Sequence, residues 1–189
     1  MNAGRPIIPK AANPALSRGF LRTAEADELL AWCLREVSWR SEALKLFGRE
    51  VRVPRQVAWF APIGVNYRYS GRDHPGHGVP AALQDLLSRI ARTTGVPVNH
   101  VLLNRYANGS DYMGWHRDDE AEVSGGVHVL SLGAQRRLRW RREDRGASLP
   151  IDLPHGSLLS MDGRLPHTLV RSKALTELRV SLSFRAIST

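Results

Sequence analysis

The second half of this chain does not read as helices. From Val98 onward, short apolar runs recur between Gly, Asp, Asn and Pro: Val101-Leu102-Leu103, Gly126 to Leu132, Leu138-Arg139-Trp140, Ile151-Asp152-Leu153, Ser157 to Met161, His167 to Val170 and Arg179 to Arg185. Runs this short, bounded by turn formers, are strands, and so many of them predict a β-sandwich or barrel. Val51 to Tyr69 also reads as extended, with Pro54 confined to an edge or turn because it has no N–H for a ladder. Only two segments carry helical spacing. Leu29, Trp32, Cys33 and Val37 recur on one face after Thr23, an expected N-cap, with Glu25 and Asp27 in the first turn, where they favour the helix dipole. Leu83, Leu86, Leu87 and Ile90 follow Pro80, and Gly95 stands near the end. Each has one apolar stripe, suited to covering a sheet.

No repeat, low-complexity tract or linker divides the chain, so residues 1–189 are expected to form a single domain. Residues 1–17, with Pro6, Pro9 and Pro14, read as an N-terminal arm. The sequence holds no long apolar run, so no membrane span is expected, and one cysteine, Cys33, cannot form an internal disulfide. A soluble protein of a reducing cytoplasm is the expectation. A net charge of +9 predicts attraction to polyanions, chiefly nucleic acid, through release of counterions from phosphates.

His116-Arg117-Asp118 is the only His-x-Asp of the chain. Residues two apart on an extended segment leave the same face, so His116 and Asp118 can chelate one ion. Two imidazoles and a carboxylate hold one face of iron(II) and leave the other open. His167, at the start of a later strand, is the candidate for the second imidazole. On spacing alone it is equally a buried, hydrogen-bonded histidine, and His128 and His155 are rivals for the place. His128 lies inside an apolar run and His155-Gly156 reads as a turn. A carboxylate clamp is legible too. In Arg-Val-Ser-Leu-Ser-Phe-Arg, Arg179, Ser181, Ser183 and Arg185 share one face and Val180, Leu182 and Phe184 the other. Arginine is suited to bidentate carboxylate binding, and Asn104 and Tyr106, two apart, offer an amide and a phenol. The alternative is an ordinary charged edge facing solvent.

Asn104-Arg105-Tyr106, Asp111, the run from His116 to Glu120, Ser131-Leu132-Gly133, His155 to Leu159, His167 and the Arg179/Arg185 pair occur in this order over about Phe47 to Arg185. In order and spacing the chain resembles the AlkB-like, iron(II)- and 2-oxoglutarate-dependent dioxygenases, and most of all their branch that repairs alkylated duplex DNA. That resemblance implies a mainly β protein with flanking helices: a double-stranded β-helix, or jelly roll, at about 98–187, with a nucleotide-recognition lid at about 46–72. It implies His116, Asp118 and His167 as iron ligands, and Asn104, Tyr106, Arg179, Ser183 and Arg185 as 2-oxoglutarate contacts, Arg179 at the distal carboxylate. Ser181 departs from the asparagine that relatives often carry. For the substrate it implies Arg55, Tyr67 and Tyr69 on the lid, with Tyr69 stacking a flipped base against His116. Asp119 and Glu120 would steady a cationic methylated base, or else form a solvated acidic cluster. Phe47 aligns with a finger that fills the gap in the stack, and equally reads as core.

Arg136, Arg137, Arg139, Arg141 and Arg142 crowd one strand beside Trp140, a density that suits phosphate contact, with Lys10, Arg49, Arg52, Arg68 and Arg72 as additions. The activity implied is oxidative demethylation of 1-methyladenine or 3-methylcytosine in single- or double-stranded DNA. It uses iron(II), oxygen and 2-oxoglutarate, releases formaldehyde, succinate and carbon dioxide, and is carried by a monomer. The alternatives are a related oxygenase acting on RNA, protein or a small molecule, and an inactive basic jelly roll that binds nucleic acid.

Overall fold

The apolar runs become strands, and the two helical stripes become helices. The structure is a computed structural model and describes residues 13–46, 49–69, 72–142 and 146–188. In chain order it contains β1 (Ala15–Ser17), α1 (Thr23–Glu36), β2 (Arg40–Leu46), β3 (Arg49–Phe60), β4 (Asn66–Tyr69), β5 (Arg72–Pro75), α2 (Ala81–Thr94), β6 (His100–Tyr106), β7 (Met113–His116), β8 (Val123–Gly133), β9 (Arg136–Trp140), β10 (Leu149–Leu153), β11 (Ser157–Met161), β12 (His167–Leu169) and β13 (Arg179–Ile187). A large sheet runs β1-β11-β8-β13-β6-β3-β2, a small one β10-β9-β12-β7, and β4 pairs with β5 separately. Val127, Leu159 and Met161 of the large sheet pack with Leu138, Trp140 and Leu153 of the small one, so the two sheets face each other as a jelly roll.

The helices cover the outer face of the large sheet. Ala26 and Cys33 of α1, and Leu83, Leu86 and Ile90 of α2, join one cluster with Val101, Leu103, Leu130, Leu132, Val180, Leu182 and Phe184. A fully buried aliphatic side chain in such a cluster contributes ~1.5–3 kcal/mol. Helix α1 begins differently from expectation: Thr23 is its first helical residue and Arg22 the N-cap, because the Glu25 carboxylate accepts the Arg22 backbone N–H at 2.9 Å. Helix α2 follows Pro80 and ends at Gly95, which takes the left-handed φ of 72° and donates its N–H to Ala91 O.

Strand β2 lacks the alternation that betrays a strand, and the sequence does not show it. Pro54 lies within β3 but outside both ladders: β6 pairs only with Gln56–Phe60, so this stretch is an edge on that side as expected, and the register with β2 shifts between Ser41 and Ala43. A bulge leaves a position outside the ladder, so the missing N–H of proline breaks no bond there.

Strand β13 is the structural centre. It lies between β8 and β6, and all nine of its residues are buried. Its alternation sends Val180, Leu182 and Phe184 to the helices and Arg179, Ser181, Ser183 and Arg185 to the space between the sheets.

Candidate metal centre and its pocket

Strands β7 and β12 are neighbours in the small sheet, and their register sets His116 directly opposite His167. The two rings lie 4.1 Å apart between centroids, and Asp118, in the loop after β7, brings Oδ2 to 3.7 Å from His167 Nε2. One donor atom from each of the three lies within 4.8 Å of the others, and among the described residues no other His, Cys, Asp or Glu group does this. His116 Nδ1 is 2.9 Å from Gly114 O, and His167 Nδ1 is 2.9 Å from Leu165 O. A carbonyl oxygen only accepts, so both Nδ1 atoms carry the proton and both Nε2 atoms keep a lone pair for a cation.

Charge agrees with that tautomer. Burial, aided by His167, lowers the His116 pKa to about 4, which leaves the ring neutral at neutral pH. Burial works to raise the Asp118 pKa, but Arg185, with Nη2 3.0 Å from Oδ1, and then His167 and His116 bring it down to about 2. Two neutral imidazoles and one carboxylate are a donor set that fits iron(II). The Asp118 loop is held by its N–H donating to Gly163 O at 2.9 Å. A Cβ on Gly163 would lie 2.1 Å from the Asp118 carbonyl oxygen, so only glycine allows this approach. The sequence reading missed Gly163, which looks like any turn residue. The rival histidines stand apart: His128 Nδ1 lies 2.9 Å from Ser160 Oγ, and His155 Nδ1 accepts the Gly133 N–H at 2.8 Å.

A cavity opens beside the triad, lined on the large sheet by Asn104, Tyr106, Arg179, Ser181, Ser183 and Arg185. The solvent-facing edge considered for this arginine pair is excluded, since both are 2% exposed. Leu102, Val129, Leu138, Leu153 and Leu169 form apolar walls that the sequence reading did not name. Leu102 was legible, because it shares the alternation of Asn104 and Tyr106. Arg179 donates from Nη2 to Ser131 Oγ at 3.0 Å and lies 5.3 Å from the Tyr106 ring centroid. Burial lowers its pKa to about 10, so it stays charged at neutral pH. Arg179 Nε, Arg185 Nε and Arg185 Nη1 are buried without a hydrogen-bond partner among the described residues. Buried guanidinium donors left over in this way fit an incoming carboxylate, and so fit 2-oxoglutarate.

The expected substrate residues separate into groups. Tyr67 is buried, its ring 4.7 Å from His100 and 5.5 Å from the Arg185 guanidinium. Burial, then Asp118, raises the pKa of the half-buried Glu120, whose carboxyl faces the Tyr67 hydroxyl. Asp119 is exposed and stands outside this cluster. Arg55 is buried and donates from Nε to Asn104 Oδ1 at 2.7 Å. Tyr69 ends β4, but its side chain is outside the described set, as are Phe47, Gly48 and Lys10.

The basic strand needs correction. In β9 burial alternates, so Arg136 points inward with Leu138 and Trp140 while Arg137 and Arg139 point outward. Arg136 is 2% exposed and donates to the carbonyls of Asn108, Asp111 and Val170. It is a latch between loops and not part of a phosphate groove. Arg137 pairs with Asp152 at 2.7 Å, and Arg141 lies 4.3 Å over the half-exposed Trp115. Cys33 is core, its thiol pushed by burial up to about 12. No described helix is long and apolar enough to cross a membrane.

Known proteins similar to this chain share one family. The chain is 37% identical over 183 residues to the human protein named DNA oxidative demethylase ALKBH2, covering 87% of this chain and 69% of that one. The bovine protein of the same name is also 37% identical, with 65% of its length covered. The human alpha-ketoglutarate-dependent dioxygenase alkB homolog 3 is 30% identical over 184 residues, 89% of this chain and 64% of that protein. The chain thus spans about two thirds of the length of these relatives. In fold it is similar to a 2OG-Fe(II) oxygenase family oxidoreductase from Burkholderia pseudomallei, with a TM-score of 0.62 and 13% identity over 92% of this chain and 84% of that one. It is likewise similar to a Pseudomonas putida prolyl-4-hydroxylase, with a TM-score of 0.58 and 18% identity over 93% of each chain. A family model described as the 2OG-Fe(II) oxygenase superfamily matches residues 15–185, and with a His-Asp-His donor set beside a doubly cationic pocket, the chain belongs to that superfamily, in its AlkB-like group.

Proposed function

We propose that this chain, acting as one domain and as a monomer, oxidatively removes N-methyl groups from alkylated bases in DNA, of the 1-methyladenine and 3-methylcytosine type. The observation that carries the reading is one pocket with a divalent-metal donor set at its side and buried Arg179 without a carboxylate partner among the described residues. Relatives at 37% identity named as DNA oxidative demethylases, and a net charge of +9, favour DNA as the substrate. Bound iron(II), with 2-oxoglutarate and oxygen, would supply the oxidation of the methyl carbon, which leaves as formaldehyde while 2-oxoglutarate becomes succinate and carbon dioxide.

The residues have separable tasks in this reading. His116, Asp118 and His167 hold the metal, with Arg185 keeping Asp118 ionised. Arg179 takes the distal carboxylate of 2-oxoglutarate, and Asn104, Tyr106, Ser183 and Arg185 complete its cradle. Leu102, Val129 and Leu138 keep water from the reacting centre. Tyr67, Tyr69, Asp119, Glu120 and Phe47 receive and read the base, residues 46–72 acting as its lid, while Arg55, expected beside them, is bonded to Asn104. The outward Arg137 and Arg139, with Arg141 and Arg142 after them, meet phosphates.

The test is anaerobic loading with iron(II), then formaldehyde release from methylated single- and double-stranded DNA, and from methylated RNA, once oxygen is admitted. Release from DNA that falls steeply with salt and is lost in His116→Ala is expected. Consumption of 2-oxoglutarate with no formaldehyde from any nucleic acid would sink the assignment.

A further inference from the structure

We propose that Arg55 is a positioning residue for the co-substrate: it fixes the Asn104 side-chain amide so that the NH2 group faces the pocket, and so ties the β3 strand to 2-oxoglutarate binding. The inference rests on the pocket being the 2-oxoglutarate site.

The argument starts from β-sheet register. Val57 on β3 pairs with Asn104 on β6, and Arg55, two residues earlier, shares the face of Val57. Asn104 is therefore the diagonal neighbour of Arg55, within reach of a long side chain. The bulge at Pro54 locally frees β3 from its other partner, β2, just beside Arg55. Arg55 Nε donates to Asn104 Oδ1 at 2.7 Å, and the two residues are 8% and 3% exposed.

The identity of the amide atoms follows from chemistry. A guanidinium has only donors, so the side of the amide facing Arg55 must be its oxygen. The NH2 is then left for the opposite side, where Asn104 lines the cavity with Tyr106 and Arg179. Two N–H donors there suit a carboxylate. Without Arg55 the amide is free to rotate by half a turn and to present its oxygen to the same carboxylate, which repels it.

Calorimetric titration of 2-oxoglutarate into anaerobic, iron(II)-loaded protein reads this without turnover. Arg55→Met is expected to weaken 2-oxoglutarate binding by about 3- to 10-fold, the scale of one buried hydrogen bond. Arg55→Lys, which still donates, should recover part of the loss. In an Asn104→Ala background Arg55→Met should add nothing, because the two act as one unit. Binding of 2-oxoglutarate unchanged in Arg55→Met, with only DNA affinity reduced, would overturn the proposal, as would losses that multiply in the double variant. If Arg55→Met does not fold, Asn104→Asp decides. With Arg55 in place the new carboxylate pairs with it and turns its other oxygen to the pocket, so binding should fall below that of Asn104→Ala. Equal affinities for those two variants would overturn the proposal. A wild-type protein that takes up iron(II) but no 2-oxoglutarate would instead refute the co-substrate reading itself.

Discussion

The two faces of β13 are equally buried and chemically opposite. Toward the helices stand Val180, Leu182 and Phe184, each at 0% exposure; toward the small sheet stand Arg179 and Arg185 at 2%, with Ser181 and Ser183 between them. The first face is complete in itself, closed by α1 and α2 through apolar packing. The second is a set of charges and hydroxyls whose desolvation cost is offset only in part. Arg185 has Asp118, while Arg179 has a serine hydroxyl and an aromatic ring. Burial therefore does not separate core from site here. What separates them is whether the buried groups satisfy one another.

That contrast can be broken at several points. The largest effect is expected at the triad: Asp118→Ala or His116→Ala should cut methyl removal by more than ~100-fold, beyond what losing a mere supporting group costs, while circular dichroism stays native. Next comes a matched pair on the strand itself. Leu182→Ala should destabilise the fold by ~2–5 kcal/mol in urea unfolding, yet leave 2-oxoglutarate affinity of the folded molecules unchanged. Arg179→Met should do the reverse, holding or raising the melting temperature of the metal-free protein while abolishing measurable 2-oxoglutarate binding. If Arg179→Met unfolds the protein as Leu182→Ala does, the distinction between the faces fails. Gly163→Ala should reduce iron(II) affinity by ~10–100-fold in a competition titration, since any Cβ there pushes on the Asp118 backbone.

The smallest effect concerns pH. His100 is fully buried beside Tyr67, and burial, then Arg185 and His74, lower its pKa from 6.5 to about 3. Below pH 6.5 the unfolded chain binds a proton there that the folded chain does not. Its stabilising contrast is thus whole above pH 6.5 and is lost progressively as pH falls toward 3. Melting temperatures of the metal-free His100→Phe variant should decline less steeply between pH 6.5 and 5 than those of the wild type. Parallel slopes would show that His100 is not the group that titrates.

Much of this was open to a reader of the sequence. The strands of the second half, α2 with its Gly95 stop, the His116/Asp118 pair and the two faces of β13 all depend on periods of two or 3.6 residues, which are local. Helix α1 was legible except at its first turn, where Glu25 and not Thr23 makes the cap. The inward face of Arg136 is legible too, because it shares the alternation of Leu138 and Trp140, whereas charge density alone points it to solvent. Other features had no local signal. Gly163 matters only because a loop more than forty residues away along the chain comes to rest against it. Strand β2 is a strand because β3 is beside it.

The order of residues alone shows which types could take a metal and a carboxylate, and which side of each strand they occupy, since alternation is a property of the backbone. That His167, rather than His128 or His155, faces His116 depends on the folded sandwich, because it follows from the register of β12 against β7. The same tertiary structure decides that Arg185 is shared with Asp118 and that Arg55 turns to Asn104. Register between strands distant in the chain is set by packing the whole sandwich, and no window of sequence contains it.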